Sequence, residues 1–371
     1  MIVIAPDSYK GTMSATEVCD IIKKEFLKLN ASEKVKCFPI ADGGEGTVDA
    51  ILFNGGKKII VKIKGPLFDE AEAFYGILPD NTAVIEMAAA SGLPMVGVEK
   101  NPLLTTTYGT GQLIRDALDK RCKKILIGLG GSATNDGGIG CAAALGAEFL
   151  DSDGNSVPLN GSGLAKITDI NLTKLDKRLA NVEIEALCDV VSPLYGENGA
   201  AYVFAPQKGA DRSTVKILDD GLKKLAEVTK NIIDKDNSQI EGAGAAGGGL
   251  GFGLISFLGA RLVKGAPTVL KATGFENAAK NADLVITGEG CMDNQSLLGK
   301  APAEVASLSG DTPVVAIVGM SRVTDMSGSN IRRIYVTDHG QRPFEQILKE
   351  CRNDLAAAAN RVAYDFYNGM I

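Results

Sequence analysis

The chain has 371 residues, 45% of them hydrophobic and 23% charged, which suits a folded globular protein of two domains rather than one. Its net charge of −6 excludes the basic footprint of a nucleic-acid binder. Seven Cys with no C-x-x-C pair and no regular spacing argue against a zinc site or a disulfide framework, so reduced thiols and a cytoplasmic location are expected.

The chain opens on an apolar strand, IVIAP, without the basic and apolar pattern of a signal peptide, so none is expected. The loop that follows, Asp7-Ser-Tyr-Lys-Gly-Thr-Met, leads to a helix opened by Ser14 and Glu17 in capping-box spacing. Val18, Ile21, Ile22, Phe26 and Leu29 form its apolar face. A second strand, VKCFPI, ends at Ala41-Asp42-Gly43-Gly44-Glu45-Gly46, and a helix is expected near Thr47. AEAFYGIL and AVIEM read as an antiparallel pair around Pro79-Asp80-Asn81, and KILI as a strand feeding the glycine-rich run 128–140. Residues 211–232 read as an amphipathic helix with Val215, Leu218, Leu222, Leu225 and Ile232 on one side.

The uncharged run 242–260 is long enough to raise the question of a membrane span. Its eight glycines, mostly in the first half, make it a loop entering a buried helix instead, and no membrane association is expected. Strands LVIT (284–287), VVAIV (314–318) and IYVT (334–337) then alternate with helices, and Pro302 sits near a helix start. The last helix carries Ile347, Leu348, Cys351, Leu355, Val362 and Phe366 on one face. Alternating strands and helices predict a parallel sheet covered on both sides, with ligands beyond the carboxyl ends of its strands. The expected fold is therefore α/β in two domains. One is a Rossmann- or flavodoxin-like sheet built from both chain ends (1–61 and 281–371), and the other is an inserted α/β domain (62–280).

Several chemistries are excluded. There is no G-x-x-x-x-G-K-[ST]; the nearest match, Leu298-Gly299-Lys300-Ala301, lacks both the hydroxyl residue and the upstream spacing. His339 is the only His, so H-E-x-x-H cannot occur, and no G-x-S-x-G elbow is present. G-x-G-x-x-[GA] occurs at Gly128, Gly138 and Gly242, but in a chain with 44 Gly it carries little weight. Only Gly128 is preceded by a strand, and polar turn formers follow it, so dinucleotide binding ranks below a phosphate cradle.

Three groups of residues carry positive signals. In the run from Gly128 to Gly140, small residues leave backbone N–H groups uncovered, and Ser132, Thr134 and Asn135 add side-chain donors. With Gly130 and Gly131 they form the expected nucleotide-phosphate site, helped by a helix start near Gly138. The alternative is a turn that merely closes a strand. The run at 242–251 has no side-chain donors and reads equally as a phosphate approach or a close-packed helix entry.

Asp7, Asp42, Glu45, Asp136, Asp189, Glu289 and Asp293 lie beside glycines or just after strands. Phosphoryl transfer needs Mg²⁺ on one or two carboxylates and gains from another that orients the attacking hydroxyl; Asp189 suits the orienting role. For a single Asp a helix cap or turn is the competing assignment. Lys10, Lys208 and Lys300 each adjoin a glycine and could meet a phosphate or carboxylate as point charges, or simply be solvated.

Together these runs resemble the bacterial type-1 glycerate kinase family. The matching segments are APDSYKGTMSA (5–15), ADGGEGT (41–47), TTTYGTGQLI (105–114), GLGGSATNDGG (128–138), CDVVSPLYGENGAAYVFAPQKGA (188–210), GAGAAGGGLGFGL (242–254) and DLVITGEGCMDNQSLLGKAP (283–302). They occur in order along nearly the whole chain.

The resemblance implies two α/β domains with the active site in the cleft between them. It implies ATP- and Mg²⁺-dependent phosphorylation of D-glycerate at the 2-hydroxyl. Small molecules are then the only partners implied, and a homo-oligomer is compatible with the sequence. The roles it suggests are catalysis for Asp189, Asp293 and Lys10, and substrate binding for Asp7, Ser8, Asp42, Glu45, Lys208 and Lys300. Asp136, Glu289 and Asp293 are the expected metal ligands. Cys291 stands where the family usually has Arg, and Ser192 where it usually has Asn. The alternatives are an NAD-dependent oxidoreductase of a small hydroxy acid, and a non-catalytic binder of glycerate or nucleotide.

Overall fold

The computed structural model describes residues 1–41, 43–44, 46–98, 100–297, 300–338 and 342–371. The chain divides into two compact units, one comprising Met1–Ala41, Asp49–Gly55 and Ala266–Ile371, the other Asp42–Val48 and Gly56–Gly265. Residues 266–280, expected in the inserted stretch, thus fall in the unit built from the chain ends. The reason is packing: Ala266, Leu270, Phe275, Ala278 and Ala279 bury against Val3, Ala5 and Val285 of that unit.

The first unit holds a wholly parallel sheet of β1 (Ile2–Pro6), β2 (Val35–Cys37), β11 (Leu284–Met292), β12 (Val314–Ser321) and β13 (Ile331–Val336), with strands numbered along the chain. Their order, β13-β12-β11-β1-β2, is the 2-1-3-4-5 order of a flavodoxin-like sheet. Such sheets are covered on both faces, and the strands accordingly read as continuous apolar runs. Helices Ala15–Leu29 and Phe344–Tyr367 close one face around Ile4, Phe26, Ile286 and Leu355. Phe275–Lys280 and Ala301–Leu308 close the other. Ser14 caps the first helix by accepting from the Glu17 N–H at 3.2 Å, while the Glu17 carboxylate pairs with Arg352 at 2.7 Å. Leu29 and Leu348, expected on the apolar faces, are 47% and 39% exposed.

In the second unit β3 (Lys57–Lys64), β4 (Glu70–Ile77) and β5 (Thr82–Glu86) form an antiparallel meander. From β5 the sheet continues in parallel through β6 (Lys124–Gly128), β9 (Glu183–Leu187) and β10 (Arg261–Val263). A small hairpin, β7 (Glu148–Leu150) with β8 (Asp169–Asn171), lies outside this sheet. Four lysines along the edge strand β3 discourage edge-to-edge pairing.

The core gathers β5, β6 and β9 with helix Arg212–Ile233, which buries Val215, Leu218, Leu222 and Leu225. Asp211 caps that helix, and Ile232, in its last turn, is 44% exposed. Within the run 242–260 a π-turn (Ala245–Gly249) leads into the buried helix Leu250–Leu258. Among the described residues no helix is long and apolar enough to cross a membrane.

Candidate active site

In the second unit the carboxyl ends of β6 and β9 open into a pocket of about 340 Å³. Gly130, Gly131 and Ser132 line it after β6, Cys188 and Asp189 line it after β9, and Lys208 enters from the turn Pro206–Lys208. Lys208 is 2% exposed; its ammonium donates to Ser132 Oγ at 2.6 Å and to the Thr134 carbonyl at 2.7 Å. Burial pushes its pKa down to about 7, against the pull of the Asp136 charge. A cation is thus held against the glycine-rich turn that follows β6.

The turn is built by backbone contact. Gly130 N–H donates to the Gly43 carbonyl at 3.0 Å, and a Cβ on Gly130 would lie 2.6 Å from Gly44 Cα. A Cβ on Gly128 would strike the Gly43 carbonyl oxygen. Gly128 and Gly130 therefore admit no side chain, because the backbone of segment 43–44 occupies that space. Val48 N–H donates to the buried Glu86 carboxylate at 2.6 Å and ties the first segment to the end of β5.

Not every expected donor faces the pocket. Thr134 and Asn135 are 1% and 0% exposed, because Ala133 N–H binds the Ser91 carbonyl and Gly137 N–H binds that of Gly248, turning this stretch inward. The helix expected near Gly138 begins at Ile139 with Gly138 as its N-cap, and Asp136 lies just before it. The Asp136 carboxylate accepts from Thr107 N–H (2.7 Å), Thr107 Oγ1 (2.8 Å), Gly138 N–H (3.1 Å) and Gly140 N–H (3.4 Å). It is fully buried, and desolvation raises its pKa in spite of these four donors. Asp136 is therefore an internal anchor of the turn, not the open metal ligand expected from its sequence position.

The run at 242–249 proves to be a packing device: a Cβ on Gly248 would collide with the Thr134 carbonyl. Asp189 is exposed and lines the pocket, and its Oδ1 accepts from the Gly265 N–H at 3.0 Å.

The first unit has its own cluster at the switch point of its sheet, between β1 and β11. Asp7 follows β1 and donates its N–H to the Gly288 carbonyl at 2.8 Å, while its Oδ1 accepts from Ser8 N–H at 2.6 Å. Glu289 lies on β11, and its Oε1 is buried without a hydrogen-bond partner. Burial raises the Glu289 pKa; Ser296 and Lys300 oppose this, and Asp7 and Asp293 add to it. Asp293 Oδ1 accepts from Ser296 N–H at 2.9 Å and lies 3.6 Å from Lys300 Nζ.

Asp7, Glu289, Asp293 and Lys300 are thus brought together, while Lys10 is exposed on the neighbouring turn and Cys291 is exposed on β11. Among the described residues no three metal-ligating side chains converge. Asp42, Glu45 and His339 lie outside the described residues. The sequence reading did not single out Leu93, Val190, Phe204 and Gln207 of the pocket, or Glu86, whose only signal was its place at the end of a strand.

Two parallel-rich α/β units, one with a lysine beneath a glycine-rich turn and the other with carboxylates at a switch point, are the equipment of a small-molecule phosphotransferase. The profile of the Glycerate kinase family matches residues 2–366. A glycerate kinase of Halalkalibacterium halodurans is 43% identical over 97% of this chain and 98% of its own. The glycerate 2-kinase of Escherichia coli is 46% identical over 86% of this chain and 84% of its own. The crystal structure of a Salmonella typhimurium LT2 protein assigned as glycerate kinase 2 superposes with a TM-score of 0.89 at 41% identity, covering 99% of this chain and 98% of that one. The chain belongs to the glycerate kinase family.

Proposed function

We propose that the protein transfers the γ-phosphoryl group of ATP to the 2-hydroxyl of D-glycerate, giving 2-phosphoglycerate and ADP. The observation that carries this reading is the ammonium of Lys208 held against Ser132 and the Thr134 carbonyl, at the glycine-rich turn that lines the pocket. Fixed donors and a desolvated cation suit the spread charge of a transferring phosphoryl group. Neither the oxidoreductase nor the non-catalytic alternative has a specific observation in its favour.

Mg²⁺ prefers one or two carboxylates and completes its shell with water and phosphate oxygens. The residues present fit that demand: the orphaned Glu289 Oε1 is a buried acceptor, and Asp7 and Asp293 add negative charge around it. Glu289 and Asp293 would hold the ion, which when bound neutralises charge on the phosphates. Lys300 and Ser8 are assigned to the glycerate carboxylate and hydroxyls, and Lys10 to charge on the transferring group.

In the reaction the glycerate hydroxyl oxygen bonds to the γ-phosphorus as the bridging bond to ADP breaks. The hydroxyl proton leaves late, so a carboxylate suffices as its acceptor. Asp189 orients that hydroxyl. In Asp189→Asn the amide oxygen still accepts from the Gly265 N–H, so the fold persists while the charge is lost. The kcat of this variant falls by about a hundredfold, roughly 3 kcal/mol, with an unchanged circular dichroism melt. A drop of less than threefold would remove Asp189 from the mechanism.

The function itself is tested by ADP release with MgATP and glycerate, the product being identified by NMR. Glycerate-dependent release that stops in excess EDTA is expected. NADH formation from glycerate and NAD⁺ would replace the kinase with the oxidoreductase.

A further inference from the structure

The pocket that contains Lys208 has more hydrocarbon than a phosphate cradle needs. Leu93, Leu129, Leu187, Val190 and Phe204 form its walls, and Gln207 stands exposed at its rim. Glycerate carries oxygen on every carbon, and apart from Asp189, assigned above to its attacking hydroxyl, these apolar walls offer those oxygens no partners. A purine is different: it has two apolar faces and a polar edge, and a pocket of about 340 Å³ is within the range that small-molecule sites occupy.

We infer that this pocket receives the base of the nucleotide, with Phe204 and Val190 against the ring and Gln207 reading its edge. The inference rests on the kinase reading above and goes beyond it by naming the residues that select the nucleotide. The local chain geometry supports it. Helix Ala200–Phe204 runs straight into the 3₁₀ turn Pro206–Lys208, where successive side chains diverge by about 120°. Lys208 is therefore directed inward, beneath the glycine-rich turn, while its neighbour Gln207 is directed to the pocket rim. A single short element thus presents one group for phosphate and one for base. Gly209, at a φ of +94°, ends the turn and fixes its direction. The Gln side-chain amide is both donor and acceptor, and it matches the N6–H/N7 edge of adenine, whereas the O6/N7 edge of guanine offers acceptors only.

The test is steady-state kinetics of Phe204→Ala and Gln207→Leu with ATP, GTP and glycerate each varied. Phe204→Ala should raise the KM for ATP about tenfold while the KM for glycerate stays within twofold, as expected for lost base–aromatic contact. Gln207→Leu should cut the preference for ATP over GTP at least fivefold. If Phe204→Ala lowers the thermal melt by more than a few degrees, Val190→Ala, at a position 41% exposed, is measured in its place with the same expectation. A raised KM for glycerate with an unchanged KM for ATP would overturn the inference, assign the pocket to the hydroxy acid, and leave the kinase reading standing. Unchanged KM values for both would also overturn it. Absence of glycerate-dependent turnover in the unaltered protein would remove the kinase reading and this inference together.

Discussion

Replacing Lys208 with methionine lowers kcat/KM for ATP by about a thousandfold, the upper end of what a single group that stabilises transition-state charge contributes. Methionine keeps the length and apolar stem of the side chain and deletes the charge. It leaves Ser132 Oγ and the Thr134 carbonyl without their donor. It also relieves the cost of burying an amine, so the two effects on folding oppose each other and the melt shifts only slightly.

A pH effect accompanies this loss. The free Lys208 pKa is about 7, and a phosphate beside it raises that value. Above pH 7 nucleotide binding must then take up a proton, so affinity is greatest below pH 7 and falls as pH rises. Calorimetry at pH 8 in two buffers of different protonation enthalpy should show proton uptake in the unaltered protein and none in Lys208→Met. Equal uptake in both would mean that the cation beneath the turn is not what meets the phosphates.

Asp136→Ala has its largest effect on the fold itself. Four buried donors, from Thr107, Gly138 and Gly140, converge on this carboxylate, and alanine leaves all of them unsatisfied. Breaking a buried charged network by removing one partner costs about 3–5 kcal/mol, a large part of a domain's total stability. The urea midpoint should fall accordingly, or the chain should fail to accumulate in soluble form. Asp136→Asn keeps one acceptor oxygen and should fall between the two. An alanine variant as stable as the unaltered protein would show that water replaces the carboxylate, and that the turn is not held from within.

The strands with strong apolar runs, β1, β6, β11 and β12, were legible in the sequence because burial on both faces leaves little but Val, Ile and Leu. The antiparallel pair β4–β5 was legible from its alternation and its turn. β3 was not, because its lysines hide a strand that sits on an edge; nor were β10, which has only three residues, and β9, where two glutamates interrupt the apolar pattern.

At the site, the glycine runs and Lys208 were readable as chemistry. Whether a given polar residue faces outward or inward was not. Thr134, Asn135 and Asp136 share one short segment with Ser132, yet only Ser132 lines the pocket. That difference is decided by hydrogen bonds to Ser91, Thr107 and Gly248, which are remote in sequence. Phe204 and Gln207 were equally silent, since an aromatic residue and an amide beside a proline look like any surface turn.

The glycine-on-glycine contact between segments 43–44 and 128–131 has a consequence for how relatives are recognised. Positions such as Gly128 and Gly130 admit no side chain because another backbone already occupies the space. In a saturation library they would be purged for failure to fold, whatever the enzyme's turnover. These two glycines therefore record a steric exclusion, which loss of catalysis alone would not relax. Telling a working kinase from a retired one depends instead on positions where substitution is structurally cheap, such as the exposed Asp189, whose hydrogen bond from the Gly265 N–H an asparagine would still accept.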